Sequence, residues 1–551
     1  MEAGIVKEAE PIGCGAFFQA DAEPSSLRRF LVGSDEKPQP MDAAEIEEEL
    51  NDPFAVELLR AGEFPSTGED LLARLDAKVA ADHPLASATQ QSFVVAEESQ
   101  VVKDPAAAAD RRLRFLLTRG GGPDGPDLMI STSRPDSPSV EVMAWDGRKG
   151  GFNYYRTILG TAGSWVWAGN SRHAWEPGTR SSGPFESHPT GNLLFKELKL
   201  PWVHWHSPRA TMDPLDVEAG DAVAQHPWFD KKLGAYVLED SVAKPAITRW
   251  NRRRLAQVSE AAEIGEPVQV MERLLGSPEP RRFTVNLVSS QESQPALAGL
   301  AQVGLPSTFF ADLDVLSGVF ELTRPQVPFA VSAQVYRDAL AEFGVTLRDR
   351  EGPEPGADFE RTGDTHFLFV VPERAFEDVD FVRQLVRPRP EAEERQLGLV
   401  SERLAACLLM VDFPNPVFSD RRAGLLGHVP SGPLPAGEWE AFSQSLGDAI
   451  VAAATGTAPS AAELEFAELW AAEEGWKEVA NQRLGAYYER LAEKLATPEG
   501  FRGVFRLAEE RRNRVRKMPI NEAPMLFAQT SIPVESIEGL AMNPDGTVEQ
   551  R

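Results

Sequence analysis

The sequence predicts an α+β protein, with a central antiparallel β-rich domain between a helical N-terminal part and a larger helix-rich α/β C-terminal region. Three observations predict it. Between about Leu113 and Asn170, short segments rich in β-branched and aromatic residues alternate with turns rich in Gly, Pro, Asp and Ser. On both sides of that stretch, apolar residues recur at helical spacing. The formal charge changes at about the same places: residues 1–110 carry net −15, residues 111–260 net +4 and the remainder net −17. These shifts divide the chain into an acidic leader with helical segments (1–110), a β-meander domain with a Trp- and His-rich loop (111–260), a helix-rich α+β domain (261–518) and an irregular tail (519–551).

Taken in order, the first fifty residues are punctuated by proline and end in the acidic run "DAAEIEEELNDP", read as a peripheral leader. "PFAVELLRAG" and "GEDLLARLDAKVA" have helical apolar spacing, and "VVKDPAAAADRR" reads as a connector. The strands follow as "LRFLLTR", "DLMISTS", "VEVMAWD", "FNYYRTI" and "SWVWAGN". Alternation puts Trp165 and Trp167 on the same side of the last strand. The glycine-rich "GGGPDG" between the first two strands fits a phosphate-cradle pattern by letter. It precedes no helix and carries acidic neighbours, so it reads as a hairpin loop.

A long loop leads to "NLLFKELK", a short helix with Asn192 as its N-cap and Pro201 as its stop. The run "KKLGAYVLEDSVAKPAITRWNRRRLAQV" reads as a helix broken at Pro245. Farther on, "RRFTVNLVSS" and "DTHFLFVVPE" read as strands. "SAQVYRDALAEFG", "AFEDVDFVRQLV", "SERLAACLLMVDF", "PAGEWEAFSQSLGDAIVAAATG" and the run from Ser460 to about Val515 read as helices.

Composition excludes several classes. A net charge of −28 opposes binding of nucleic acid over the whole surface. No run of apolar residues approaches the length of a membrane helix, and the N-terminus lacks the pattern of a secretory signal. With two cysteines, Cys14 and Cys407, the chain has no disulfide framework, so a reducing, cytoplasmic setting is expected. Walker, dinucleotide-binding, HExxH, paired CxxC and GxSxG motifs are all missing. The basic clusters "RWNRRR" and "RRNRVRK" read as salt-bridged helix faces ahead of anion sites.

The chemistry-bearing residues crowd into one place. Five of the eight histidines lie between residues 173 and 226, and eight of the eleven tryptophans between Trp145 and Trp250. In "PWVHWHSP", an extended backbone puts Trp202, His204 and His206 on one face. Two imidazoles so spaced chelate a cation once a third ligand joins, and His188 or a carboxylate such as Glu197 or Glu186 is the candidate. That donor set suits iron, copper or zinc, or a heme. His173 and Glu197 are the candidates to orient ligands or move protons, and Trp165, Trp167, Asn170, Arg172 and Trp202 are the candidates to contact a small-molecule ligand.

Three readings of these histidines stay open: packed structural side chains, metal or heme ligands, and acid–base or substrate-binding groups without a metal. The expected function is an intracellular enzyme with its site on the central domain, in its most specific form a metal-assisted oxidoreductase. The alternative is a non-catalytic binding or assembly protein that uses the aromatic surface of the β-domain.

Overall fold

The computed structural model describes residues 23–96, 113–180, 182–193, 222–234, 237–260, 263–264, 267–275, 285–288, 301–326, 328–345, 371–386, 399–435, 438–517 and 530–551. The chain divides into two compact units. The N-terminal part and the β-rich stretch, set apart in the sequence by charge, belong to the same unit.

The first unit is built on an eight-stranded mixed sheet. Its strands are β1 (Ser26–Arg29), β2 (Gln39–Pro40), β3 (Gln91–Ala96), β4 (Leu113–Arg119), β5 (Leu128–Thr132), β6 (Val140–Asp146), β7 (Gly151–Thr157) and β8 (Ser164–Asn170). From β3 to β8 it is an antiparallel meander, as the turn chemistry predicts. β1 then pairs parallel to β8, with Leu27 beside Trp165 and Arg29 beside Trp167, and makes the sheet mixed. Strands β5 and β8 are buried along nearly their whole length. Both faces of the sheet are therefore covered, which explains near-continuous apolar runs in place of strict alternation.

One face carries Asn153, Tyr155, Trp165 and Trp167, and the N-terminal helices pack on it. Helix α1 (Ala43–Glu49) starts with a capping box: the Asp42 side chain accepts from Ala44 N and Glu45 N, and the Glu45 side chain accepts from Asp42 N. Helix α2 (Pro53–Glu57) is capped by Asp52 and inserts Phe54 against Tyr155 and Trp165, with ring centroids 5.2 and 4.9 Å apart. Helix α3 (Gly68–Lys78) starts where Gly68 lies against Thr132 and Trp228. Its Glu69 meets His226 Nε2 at 2.9 Å, and Trp228 packs edge-on against Phe115. The opposite face carries Trp145, Phe152 and Tyr154, and Trp145 packs edge-to-face on Phe152.

The second unit is mainly helical. Helix α4 (Lys244–Glu260) is not broken at Pro245. A π-turn over Leu238–Ala243 runs directly into it, and this local change of hydrogen-bond register accommodates Pro245, which has no N–H to give. Asn251 on α4 is fully buried and donates to Glu377 O and Asp380, both on the neighbouring helix α5 (Phe376–Val386). The run from Ser460 is three helices: α6 (Ala461–Trp470), α7 (Trp476–Leu495) and α8 (Pro498–Arg516). Ser460 caps the first in a capping box, and Thr497 with Pro498 starts the last.

The "RRNRVRK" cluster is spent inside this unit. Arg512 bonds Glu509, Arg514 bonds Glu510 and Asp420, and Arg516 bonds Glu509. Arg511 lies over the Phe309 ring and donates to Phe309 O and Pro414 O. The tail is not irregular throughout: Leu540–Met542 and Val548–Gln550 form a hairpin. The Asn415 amide grips it, taking a bond from Met542 N at 3.0 Å and giving one to Met542 O at 2.9 Å. Cys407 is buried, and burial pushes its thiol up to about 12, so it is no nucleophile at neutral pH. No helix among the described residues is long and apolar enough to cross a membrane.

Candidate functional site

The candidate site grows from the end of β8. Between the Tyr155–Trp167 and Asn153–Asn170 pairs, β7 supplies one residue and β8 two, which makes a bulge. Gly169 occupies it with φ +113°. A Cβ there would come within 3.0 Å of Leu31 and 3.3 Å of both His173 Nδ1 and Phe185. The chain leaves the sheet at Asn170 and is described as a loop as far as Leu193. The two ends of this loop meet at Gly191, whose φ is +70° and whose Cβ would lie 2.1 Å from Ser171 O, so only glycine fits. Ser171 is fully buried and its hydroxyl accepts from Phe152 N, tying the loop's start to β7.

Two histidines of this loop hold opposite tautomers. His173 Nδ1 accepts from Asn170 N at 3.0 Å, so its proton sits on Nε2. Burial lowers its pKa, and its ring packs edge-on against Trp167 on the helix-bearing face. His188 Nδ1 lies 2.9 Å from Asn192 O. A carbonyl only accepts, so Nδ1 carries the proton and Nε2 keeps its lone pair. Burial pushes the His188 imidazole down to about 4, against the opposing bond to Asn192, and leaves it neutral at neutral pH. Its ring lies 5.4 Å from Tyr154, on the opposite sheet face, where Phe185 also meets Tyr154. His173 and His188 thus pack against opposite sides of the sheet, and the structure does not bring them together.

Asn192 closes the turn. It is fully buried, and its Oδ1 accepts from Leu193 N at 2.9 Å, which fixes the orientation of the amide. The helix expected over "NLLFKELK", with Asn192 as its N-cap, lies beyond Leu193 outside the described residues. Its Nδ2 is buried without a hydrogen-bond partner.

The other expected site residues have definite places. Trp165 is wholly buried, with its indole N–H on Pro65 O, and Trp167 is 4% exposed, with its indole N–H on Asn153 Oδ1. Both are core residues and not a platform open to ligand. Asn170 Oδ1 accepts from Arg172 N, and the Arg172 guanidinium donates to Lys149 O. Glu197, Trp202, His204 and His206 lie outside the described residues. Among the described residues no three His, Cys, Asp or Glu side chains gather as a metal site.

Sequence reasoning missed a second polar centre. Asp52 is fully buried on the helix-bearing face. Its Oδ1 takes the α2 cap bonds from Phe54 N and Ala55 N, and its Oδ2 accepts from Asn153 Nδ2 at 2.7 Å and Tyr155 OH at 2.5 Å. Burial pushes its carboxyl up to about 6 in spite of the four donors. The Asp-Pro at residues 52–53 was the available signal for the cap, but nothing local in the sequence marks Tyr155 as its partner.

The chain matches no family model, no curated protein and no solved structure.

Proposed function

We propose that the chain is an enzyme whose working group is the His188 imidazole on the sheet unit. One observation carries this reading. His188 is held neutral by burial, with Nδ1–H fixed on the Asn192 backbone carbonyl, which leaves Nε2 unprotonated. That is how proteins hold a metal-ligating or proton-accepting histidine, because the fixed Nδ1–H sets both the tautomer and the ring direction. Such a nitrogen acts as a general base toward a substrate proton, or as one ligand of a transition metal.

The metal-assisted oxidoreductase version adds His204 and His206 as ligands, on the strength of their i, i+2 spacing in the sequence. Iron, copper, zinc or a heme iron all accept a neutral imidazole nitrogen. Glu197 remains the candidate to orient these ligands or move protons in this version. His173, with its proton on Nε2, fits the role of a proton donor but not that of a ligand without a change of tautomer. The alternative, recognition through an aromatic surface, finds no support in Trp165 and Trp167, which are buried.

The test is elemental analysis and the absorption spectrum of purified protein, before and after reconstitution with ferrous iron, cupric copper and zinc. A stoichiometric metal is expected in the wild type, lost in His188→Ala and in the His204→Ala/His206→Ala double variant with the circular dichroism unchanged. A wild-type protein that takes up none of these metals rules out the metal version and leaves His188 as a metal-free base. A metal retained in His188→Ala removes His188 from the site.

A further inference from the structure

Which nitrogen of His188 carries the proton is decided by one backbone oxygen, that of Asn192, 2.9 Å from Nδ1. The oxygen belongs to a turn that starts at His188 itself. Gly191 N donates back to His188 O at 2.9 Å, and Gly191 sits in the left-handed region at φ +70°. Two peptide groups of this turn are held at both ends. The Thr190–Gly191 peptide has its N–H on His188 O and its oxygen on the Trp175 indole N–H, at 3.2 Å. The Asn192–Leu193 peptide has its oxygen on His188 Nδ1 and its N–H on Asn192 Oδ1, at 2.9 Å.

The outside grip on this turn comes from the other half of the loop. Trp175 ends the short helical turn Ser171–Ala174, and the Arg180 guanidinium donates to its carbonyl oxygen. Gly191 lies over Ser171, where a Cβ would come within 2.1 Å of Ser171 O. Ser171 is in turn tied to β7 by the 2.8 Å bond from Phe152 N. The sheet therefore holds Ser171, and the segment that follows it holds the turn that faces His188.

We infer that Trp175 and Gly191 are positioning residues that fix the His188 proton on Nδ1. The inference rests on the reading of His188 as the working group of the site. Trp175 acts through the Thr190 carbonyl, and Gly191 through its close seat on Ser171. Without the indole bond, the Thr190–Gly191 peptide loses its hold on one side, and the Asn192 oxygen two peptide groups on is free to swing away from Nδ1. A side chain at residue 191 drives the turn off Ser171 and strains its left-handed backbone. In either case the ring is released to carry its proton on Nε2, and the bare nitrogen that a ligand or base requires is lost.

The experiment uses the full chain with 15N-labelled histidine at about pH 8.5, where an ordinary imidazole is neutral. The His188 signals are assigned by their loss in His188→Phe. Wild type should show a protonated Nδ1 and a bare Nε2 with widely separated resonances. In Trp175→Phe, which keeps a ring and removes the N–H, and in Gly191→Ala, the two resonances should move toward each other as the second tautomer appears. His83 and His226 serve as controls within the same unit. Their Nδ1 atoms accept from Leu85 N and Trp228 N, so they should keep their wild-type signals wherever the fold survives. A wild-type His188 separation in both variants, with the control rings unchanged, overturns the inference. If either variant loses the control signals, solvent exchange of the Trp175 indole hydrogen in the wild type decides: slow exchange supports the bond to Thr190 O, and exchange as fast as that of a free indole overturns it. Failure of the underlying reading is distinct. A wild-type His188 with its proton on Nε2 ends that reading before any variant is made. A correct wild-type tautomer that the variants leave in place removes the positioning role alone.

Discussion

Asp52→Ala is expected to destabilise the sheet unit by about 3 kcal/mol at neutral pH. The change removes an N-cap, worth about 1 kcal/mol, and strands two buried donors, Tyr155 OH and Asn153 Nδ2, at about 1–3 kcal/mol each. Relief of the buried carboxylate's desolvation offsets part of that loss. Urea unfolding followed by tryptophan fluorescence measures it, and Asp52→Ala/Tyr155→Phe should recover part of the loss, because the stranded hydroxyl is gone. A loss near zero would mean that the four bonds to Asp52 do not hold α2 on the sheet.

The same residue sets a pH dependence. Its carboxyl sits at about 6 in the folded protein, above the ordinary 3.8, so its contribution to stability is full below about pH 4 and is lost as pH rises through about 6. His188 works in the opposite sense. At about 4, below the ordinary 6.5, its contribution is full at neutral pH and is lost as pH falls through about 4. The two slopes oppose each other across one window, which flattens the wild-type profile there. Asp52→Asn should therefore give a stability that rises with pH between about 4 and 6.5, and His188→Phe one that falls between about 4 and 6. Two variants with the wild-type profile would contradict both assignments.

The second large effect belongs to Trp165. It has no exposed surface, packs 4.9 Å from Phe54 and donates to Pro65 O. Truncation to alanine is expected to cost about 3–5 kcal/mol, the usual loss for a buried tryptophan, with a lowered denaturant midpoint and no change in slope. This outcome discriminates sharply. A tryptophan that served only as a ligand platform would tolerate the change with near-normal stability and lose binding instead.

The meander was legible because its turns carry their own chemistry. Each of the five strands from β4 to β8 falls where Gly-, Pro- and Asp-rich stretches bracket an apolar run. β1 and β3 were not legible. β1 is four residues with two arginines, "SLRR", and its partner β8 is more than a hundred residues away. β3, "QSFVVA", runs without a break signal into the stretch read as a connector. A parallel pairing of that span is decided by tertiary contact, which local pattern does not encode. The break expected at Pro245 failed for a local reason: the change of hydrogen-bond register at the π-turn before it accommodates a residue with no N–H to give.

At the site, periodicity placed Trp165 and Trp167 on one face correctly but could not say that α2 covers that face. The crowding of histidines pointed to the loop that holds His173 and His188. The division of labour within it, with His173 proton-bearing at Nε2 and His188 at Nδ1, depends on which backbone atom each ring meets. No spacing rule gives that. Asn192 was visible as a residue suited to a turn or cap, and its spare donor emerged only from the closed geometry at Gly191.

The most direct measurement is the 15N titration of the His188 imidazole in the intact protein. The account predicts a neutral ring with its proton on Nδ1, unchanged from neutral pH until it is protonated near pH 4. A ring that titrates near the ordinary 6.5, or carries its proton on Nε2, would contradict it.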